Sequence, residues 1–108
     1  MTDLADLQQR LRDFAQARDW ERFHTPKNLA MALSVEASEL VEIFQWLTPE
    51  ESQIVMGSDE ARHVEEELAD ILIYLVRLSD VLDVDLVKAA KAKVSANARR
   101  FAPVKPHR

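Results

Sequence analysis

Two acidic pairs, Glu36-x-x-Glu39 and Glu67-x-x-Asp70, sit in stretches whose apolar residues recur at helical spacing. On a helix advancing about 100° per residue, Glu36 and Glu39 share a face with Leu29, Ala32, Leu40, Ile43 and Trp46. The polar face lies elsewhere, at Ser34, Ser38, Glu42 and Gln45. Glu67 and Asp70 likewise share a sector with Ile71, Tyr74, Leu78 and Val81. A buried carboxylate without a partner is strongly unfavourable and tends to take up a proton. Four converging acids make sense around a divalent cation. The i, i+3 spacing brings both carboxylates of a pair within reach of one ion. Two such helices packed antiparallel would offer four oxygen donors, the hard ligands that suit Mg²⁺, with Mn²⁺ as the substitute. Mg²⁺ keeps waters and is commonly completed by substrate phosphates, so the pattern points to metal-assisted phosphate chemistry. A lone Glu-x-x-Glu reads more simply as a solvated helix face; the apolar flanks of both pairs argue against that here.

The elements that must hold these acids are helices. The chain has 108 residues, one Gly and little strand-type alternation, which fits one all-α domain over residues 1–108. A single Gly excludes a glycine-rich phosphate loop. The absence of Cys excludes disulfides, thiolate zinc sites and iron–sulfur clusters. The acidic start, Met1 to Asp6, lacks a signal-peptide apolar core, and no apolar run approaches a membrane span. A net charge of −5 argues against nucleic-acid binding, although Arg99, Arg100, Lys105 and Arg108 make the tail locally basic. The expectation is a cytoplasmic protein with no membrane partner.

Punctuation divides the chain further. Leu4, Leu7, Leu11 and Phe14 predict a first helix through about Trp20. Thr25-Pro26 caps a second, to about Leu47. Thr48-Pro49-Glu50-Glu51 is a capping box opening a short helix that Gly57 ends. Ser58 or Asp59 caps a third long helix reaching about Leu82. Asp83 or Asp85 caps a fourth, running toward Arg100, with Pro103 and Pro106 making the tail irregular. The expected subunit is four-helix-bundle-like, with one short extra helix. The third long helix carries a second apolar stripe, Leu68, Leu72 and Val76. A helix apolar on two sides must be central, and a chain this short covers it best by forming a homo-oligomer. The alternative cover is the short helix and the first helix.

Aromatic residues near the acids suit a nucleobase, since a ring stacks on a base with roughly 1–3 kcal/mol. Trp20, Trp46 and Tyr74 are the candidates, set against ordinary core packing. His24, just before Thr25-Pro26, reads as a structural residue or cap neighbour ahead of a catalyst.

These residues carry a family resemblance. The two acidic pairs, with Glu66-Glu67-Leu68-Ala69-Asp70, resemble the signature of the all-α nucleotide pyrophosphohydrolases, the MazG-like group. Within it the chain is more similar to the dCTP pyrophosphatase branch. Matching stretches are Arg18 to His24, Pro26-Lys27-Asn28, Glu39 to Trp46, Asp70 to Val76, and Asn97-Ala98-Arg99-Arg100-Phe101. The resemblance implies Mg²⁺-dependent hydrolysis of a nucleoside triphosphate, dCTP or a modified dCTP, to the monophosphate and pyrophosphate. It further implies that Glu36, Glu39, Glu67 and Asp70 bind metal, with Glu36 and Glu39 the catalytic candidates and Glu39 the one to activate water. Trp20, His24, Asn28, Trp46, Tyr74, Lys93, Asn97 and Arg100 become substrate-contact candidates, although an Arg near a helix C-terminus also simply complements the helix dipole. A homotetramer built from dimers is implied as well. One departure stands out: Leu11 occupies the place of the branch's first-helix His, which bears on base preference. Two readings from other classes compete. One is a di-iron carboxylate bundle, for which Glu60-x-x-His63 and Glu21-x-x-His24 nominally match. The other is a non-catalytic helical interaction module.

Overall fold

The computed structural model describes residues 3–104, and the expected irregularity at Pro106 and the charges of Lys105 and Arg108 lie outside them. The described residues form five α-helices and two 3₁₀ turns, with no strand among them. Helix α1 is Asp3–Ala17, α2 Pro26–Phe44, α3 Pro49–Gln53, α4 Ala61–Val81 and α5 Leu86–Arg100. The 3₁₀ turns are Glu21–Phe23 and Val55–Gly57.

Three helix starts follow from side-chain caps. Thr25 accepts from the Asn28 amide and leads directly into Pro26. Thr48 and Glu51 complete a reciprocal capping box. Asp85 accepts from the Lys88 amide and opens α5. The start of α4 differs from expectation: Glu60 stands at its N-cap without a side-chain bond. Ser58 stands two residues before it, and its hydroxyl accepts from the Glu60 amide instead.

The helix ends differ too, for one shared reason. Asp19 and Asp83 adopt left-handed φ values of 54° and 56°. Behind them the Trp20 amide reaches the Ala15 carbonyl, and the Val84 amide reaches that of Ser79, each at 2.9 Å. These are Schellman-type stops with Asp where Gly is usual. They end α1 at Ala17 rather than Trp20, and they give Asp83 the task of terminating α4 rather than capping α5. Helix α2 stops at Phe44, which leaves Trp46 in the following turn. Gly57 closes the second 3₁₀ turn without a left-handed backbone.

Helices α2 and α4 form the principal pair, with α1 packed on α4. They run antiparallel, since the entry to α2 at His24 meets Arg77 while Glu36 meets Glu67 and Asp70. Ala15, Leu29, Val55, Val64 and Val76 are the buried apolar residues. The four helices do not close into a bundle: α5 buries no residue and touches the other described elements only in passing. Of the second stripe on α4, Val76 is buried, whereas Leu68 and Leu72 stay 52% and 43% exposed. The radius of gyration is 17.5 Å, against about 13 Å for a compact chain of this length.

Candidate active site

The α2–α4 pair gathers three of the four acids. Oxygens of Glu36, Glu67 and Asp70 lie within 4.8 Å of one another. Glu67 is buried, and Glu36 and Asp70 are half-buried. Each position follows from helical spacing: Glu36 is seven residues past Leu29, the most buried side chain of α2, and Glu67 is three past the buried Val64. The apolar contacts that pair the two helices therefore press these carboxyls together. The Oε2 atoms of Glu36 and Glu67 are both buried without a hydrogen-bond partner.

Such crowding resists full ionisation. The Glu36 carboxyl is pushed up to about 7, first by burial, then by the neighbouring carboxyls of Glu67 and Glu39 and the charge of Asp70. Glu39 stands outside the tight group of three, though near enough to act on Glu36. Oxygen-only donors, two of them orphaned, fit a small hard dication that would supply the missing partner. Glu36, Glu67 and Asp70 are the side chains placed to hold it.

His63 adds a neighbour to this cluster. Its Nε2 is 3.4 Å from Oε1 of Glu67, and its Nδ1 is 3.1 Å from Oε2 of Glu60. Glu60 raises the His63 pKa, with Glu67 contributing less. The Glu-x-x-His spacing was legible in the sequence, but its place beside Glu67 appears only with the fold.

Farther along α4 lies a second polar group that sequence reasoning missed. Arg77 is 7% exposed, and its Nε donates to Nδ1 of His24 at 3.1 Å. Its other arm donates to Oδ2 of Asp80 at 3.2 Å. Asp80 also accepts from Arg12 at 3.0 and 2.6 Å, and from Gln8 at 2.7 Å. The Arg12 guanidinium holds the Asp80 carboxyl below its usual range. Burial, then the charge of Arg77, lowers the pKa of His24. The signal was available: an acid in an apolar stretch, the argument made for Glu67 and Asp70, applies equally to Asp80.

The aromatic candidates divide. Trp20 stands edge-on to His24 at 6.3 Å and to Phe14 at 5.5 Å. With Leu7, Arg10, Leu11, Phe14 and Ile73 it lines a cavity of about 400 Å³. Tyr74 is half-buried on α4, one turn past Asp70. Trp46 is 86% exposed, because the face it was assigned to ends with α2 two residues earlier. The Asn28 side chain donates to the Phe23 carbonyl at 3.0 Å, tying the 3₁₀ turn to α2, so its amide serves the loop. Lys93, Asn97 and Arg100 lie on α5, and no hydrogen bond or ion pair among the described residues joins them to the acids. Arg100 instead lies over the Phe101 ring at 5.0 Å. The di-iron arrangement is not formed: the group of close metal donors contains no His among the described residues, and His24 lends its Nδ1 to Arg77.

Comparison with known proteins gives a consistent picture. The pattern of the MazG-like family matches residues 31–107. The chain is 46% identical over 99 residues to dCTP pyrophosphatase 1 of Bos taurus, covering 91% of this chain, and 44% identical over the same length to that of Homo sapiens. It spans 59% and 58% of the length of those two relatives. A crystal structure of a pyrophosphatase from Archaeoglobus fulgidus superposes with a TM-score of 0.88 at 40% identity, covering 95% of each chain. No helix among the described residues is long and apolar enough to cross a membrane.

Proposed function

This chain belongs to the MazG-like family, and on that premise we propose that it hydrolyses a deoxynucleoside triphosphate, dCTP or a modified dCTP, to the monophosphate and pyrophosphate. The observation that carries the reading is the acid trio with its two orphaned buried oxygens. Glu36, Glu67 and Asp70 hold Mg²⁺, which when bound offsets phosphate charge and polarises the phosphorus centre. Glu39, outside the trio but beside Glu36, orients the attacking water and takes its proton. Trp20 and Tyr74 flank the nucleoside, and Trp46, Lys93, Asn97 and Arg100 contact substrate only where another subunit completes the site. Leu11, in the wall of the cavity beside Trp20, makes the base pocket apolar at that point. Support for the reaction comes also from the similarity to dCTP pyrophosphatase 1. The same reading makes the protein a cytoplasmic homo-oligomer, a tetramer built from dimers, for which the bare faces of α4 and α5 are the support.

The test is a nucleotide panel with Mg²⁺, its products read by phosphorus NMR. Pyrophosphate plus monophosphate is the expected outcome, with a cytosine nucleotide preferred. Orthophosphate plus diphosphate would place the cut at the other anhydride and overturn the reading.

A further inference from the structure

Arg77 is a buried cation that the metal chemistry does not use. It sits seven residues past Asp70 on α4, two helical turns and about 10.5 Å along the axis. On the proposed reading the acids hold the phosphates and the base lies toward Arg77, an offset that a triphosphate and sugar can span. At the far end stand His24 and Trp20, neither of which belongs to α4. Arg77 reaches across to His24 and holds its ring directly.

A guanidinium has donors and no acceptor. When its Nε–H bonds to Nδ1 of His24, that ring nitrogen must present a lone pair. The ring proton then resides on Nε2, on the other side of the imidazole. A doubly protonated ring would set N–H against N–H⁺, so the contact keeps His24 neutral. Asp80 in turn restrains the guanidinium through Nη1 and is itself fixed from α1 by Arg12 and Gln8. With Arg77 and the Asp80 side chain both largely shielded from solvent, the geometry is set by packing as well as by charge.

We infer that Arg77, braced by Asp80, is a positioning residue that fixes His24 as an Nε2–H donor toward an acceptor atom on the nucleobase of the substrate, such as the O2 or N3 of cytosine. This deepens the proposed reaction and rests on it. Discrimination at this point is by donor and acceptor pattern: a base edge offering a hydrogen there meets another hydrogen. Trp20, edge-on to His24, supplies an aromatic wall beside that donor.

The experiment combines spectroscopy with kinetics on the full chain. Long-range ¹⁵N–¹H spectra of the nucleotide-free protein are expected to show His24 as a single Nε2–H tautomer, and Arg77→Met to show a mixture. His24→Asn keeps an acceptor near the Nδ1 position for Arg77 but removes the distal donor, so it serves even if Arg77→Met fails to fold. Both substitutions should raise KM for the preferred nucleotide by about tenfold while changing kcat by less than about threefold. His24→Gln, whose amide N–H reaches toward the Nε2 position, should recover part of the loss. An Nδ1–H tautomer in the parent, or an unchanged KM in folded His24→Asn, overturns the inference while leaving the hydrolytic reading intact. A parent that hydrolyses no nucleotide sinks that reading and takes the inference with it.

Discussion

In the metal-free protein Glu36 holds a proton near neutrality, because its carboxyl is pushed up to about 7 from the 4.5 of an exposed glutamate. An acid whose folded pKa is raised contributes stability at low pH that is lost as pH climbs between the unfolded and folded values. Without metal, stability should therefore decline from about pH 4.5 to about pH 7 through this group, and Glu36→Gln should flatten that limb of a urea-unfolding series. Mg²⁺ requires the ionised carboxylate, so its binding at pH 6 should release protons and at pH 8.5 almost none. Calorimetry in buffers of different ionisation enthalpy reads this directly; equal release at both pH values would show that Glu36 does not ligate. For Glu39→Gln and Asp70→Asn, activity should fall by orders of magnitude while the apo proteins are no less stable, since each removes like-charge repulsion. The melting-temperature gain that Mg²⁺ and nucleotide give the parent should largely vanish. Retention of both activity and gain would make these acids structural. Apolar spacing alone pointed to Glu36, Glu67 and Asp70, the three acids that the structure gathers, because burial against Leu29 and Val64 is periodic. The same reasoning failed for Trp46, where the period continued on paper past the point at which the helix stops.

One carboxylate ties two helices together. Asp80 joins α1 to α4 by accepting from Gln8 and Arg12 of one helix while restraining Arg77 of the other. Asp80→Asn should cost on the order of 3 kcal/mol, because a shielded guanidinium loses its counter-charge. Loss of α1 protection in hydrogen exchange, ahead of α2 and α4, is the expected signature; uniform protection would mean that apolar contacts alone dock α1. Helix starts at Thr25, Thr48 and Asp85 were legible because each cap is a local bond between a side chain and an amide three residues on. Ends were not, since a left-handed aspartate at Asp19 or Asp83 has no fixed sequence signature as Gly does. The role of Asp80 was equally hidden, being spread over residues about seventy positions apart.

The subunit exposes 8805 Å², where a compact monomer of its 12.4 kDa mass would expose about 6,100 Å². Leu68 and Leu72 on α4, and Met31, Val35 and Val41 on α2, contribute to the excess. Self-association is the proposed cover. Light scattering at micromolar concentration should give a multiple of the subunit mass, and Leu68→Lys with Leu72→Lys should lower it while leaving helix content intact. A monomeric parent would refute the cover. The all-α class was readable from composition and spacing, but the open arrangement was not, because periodicity says which face is apolar and not what covers it. The bare flank of α5 has a further consequence in time. Translation produces α5 after α1 to α4, and its own chain offers it almost nothing to bury against. Under the proposed self-association its ordering waits on an encounter between chains, so the final phase of refolding should be second order and quicken as protein concentration rises. The same proposal would tie maturation in a cell to abundance, because dilute, newly made chains would keep α5 unprotected and open to proteases.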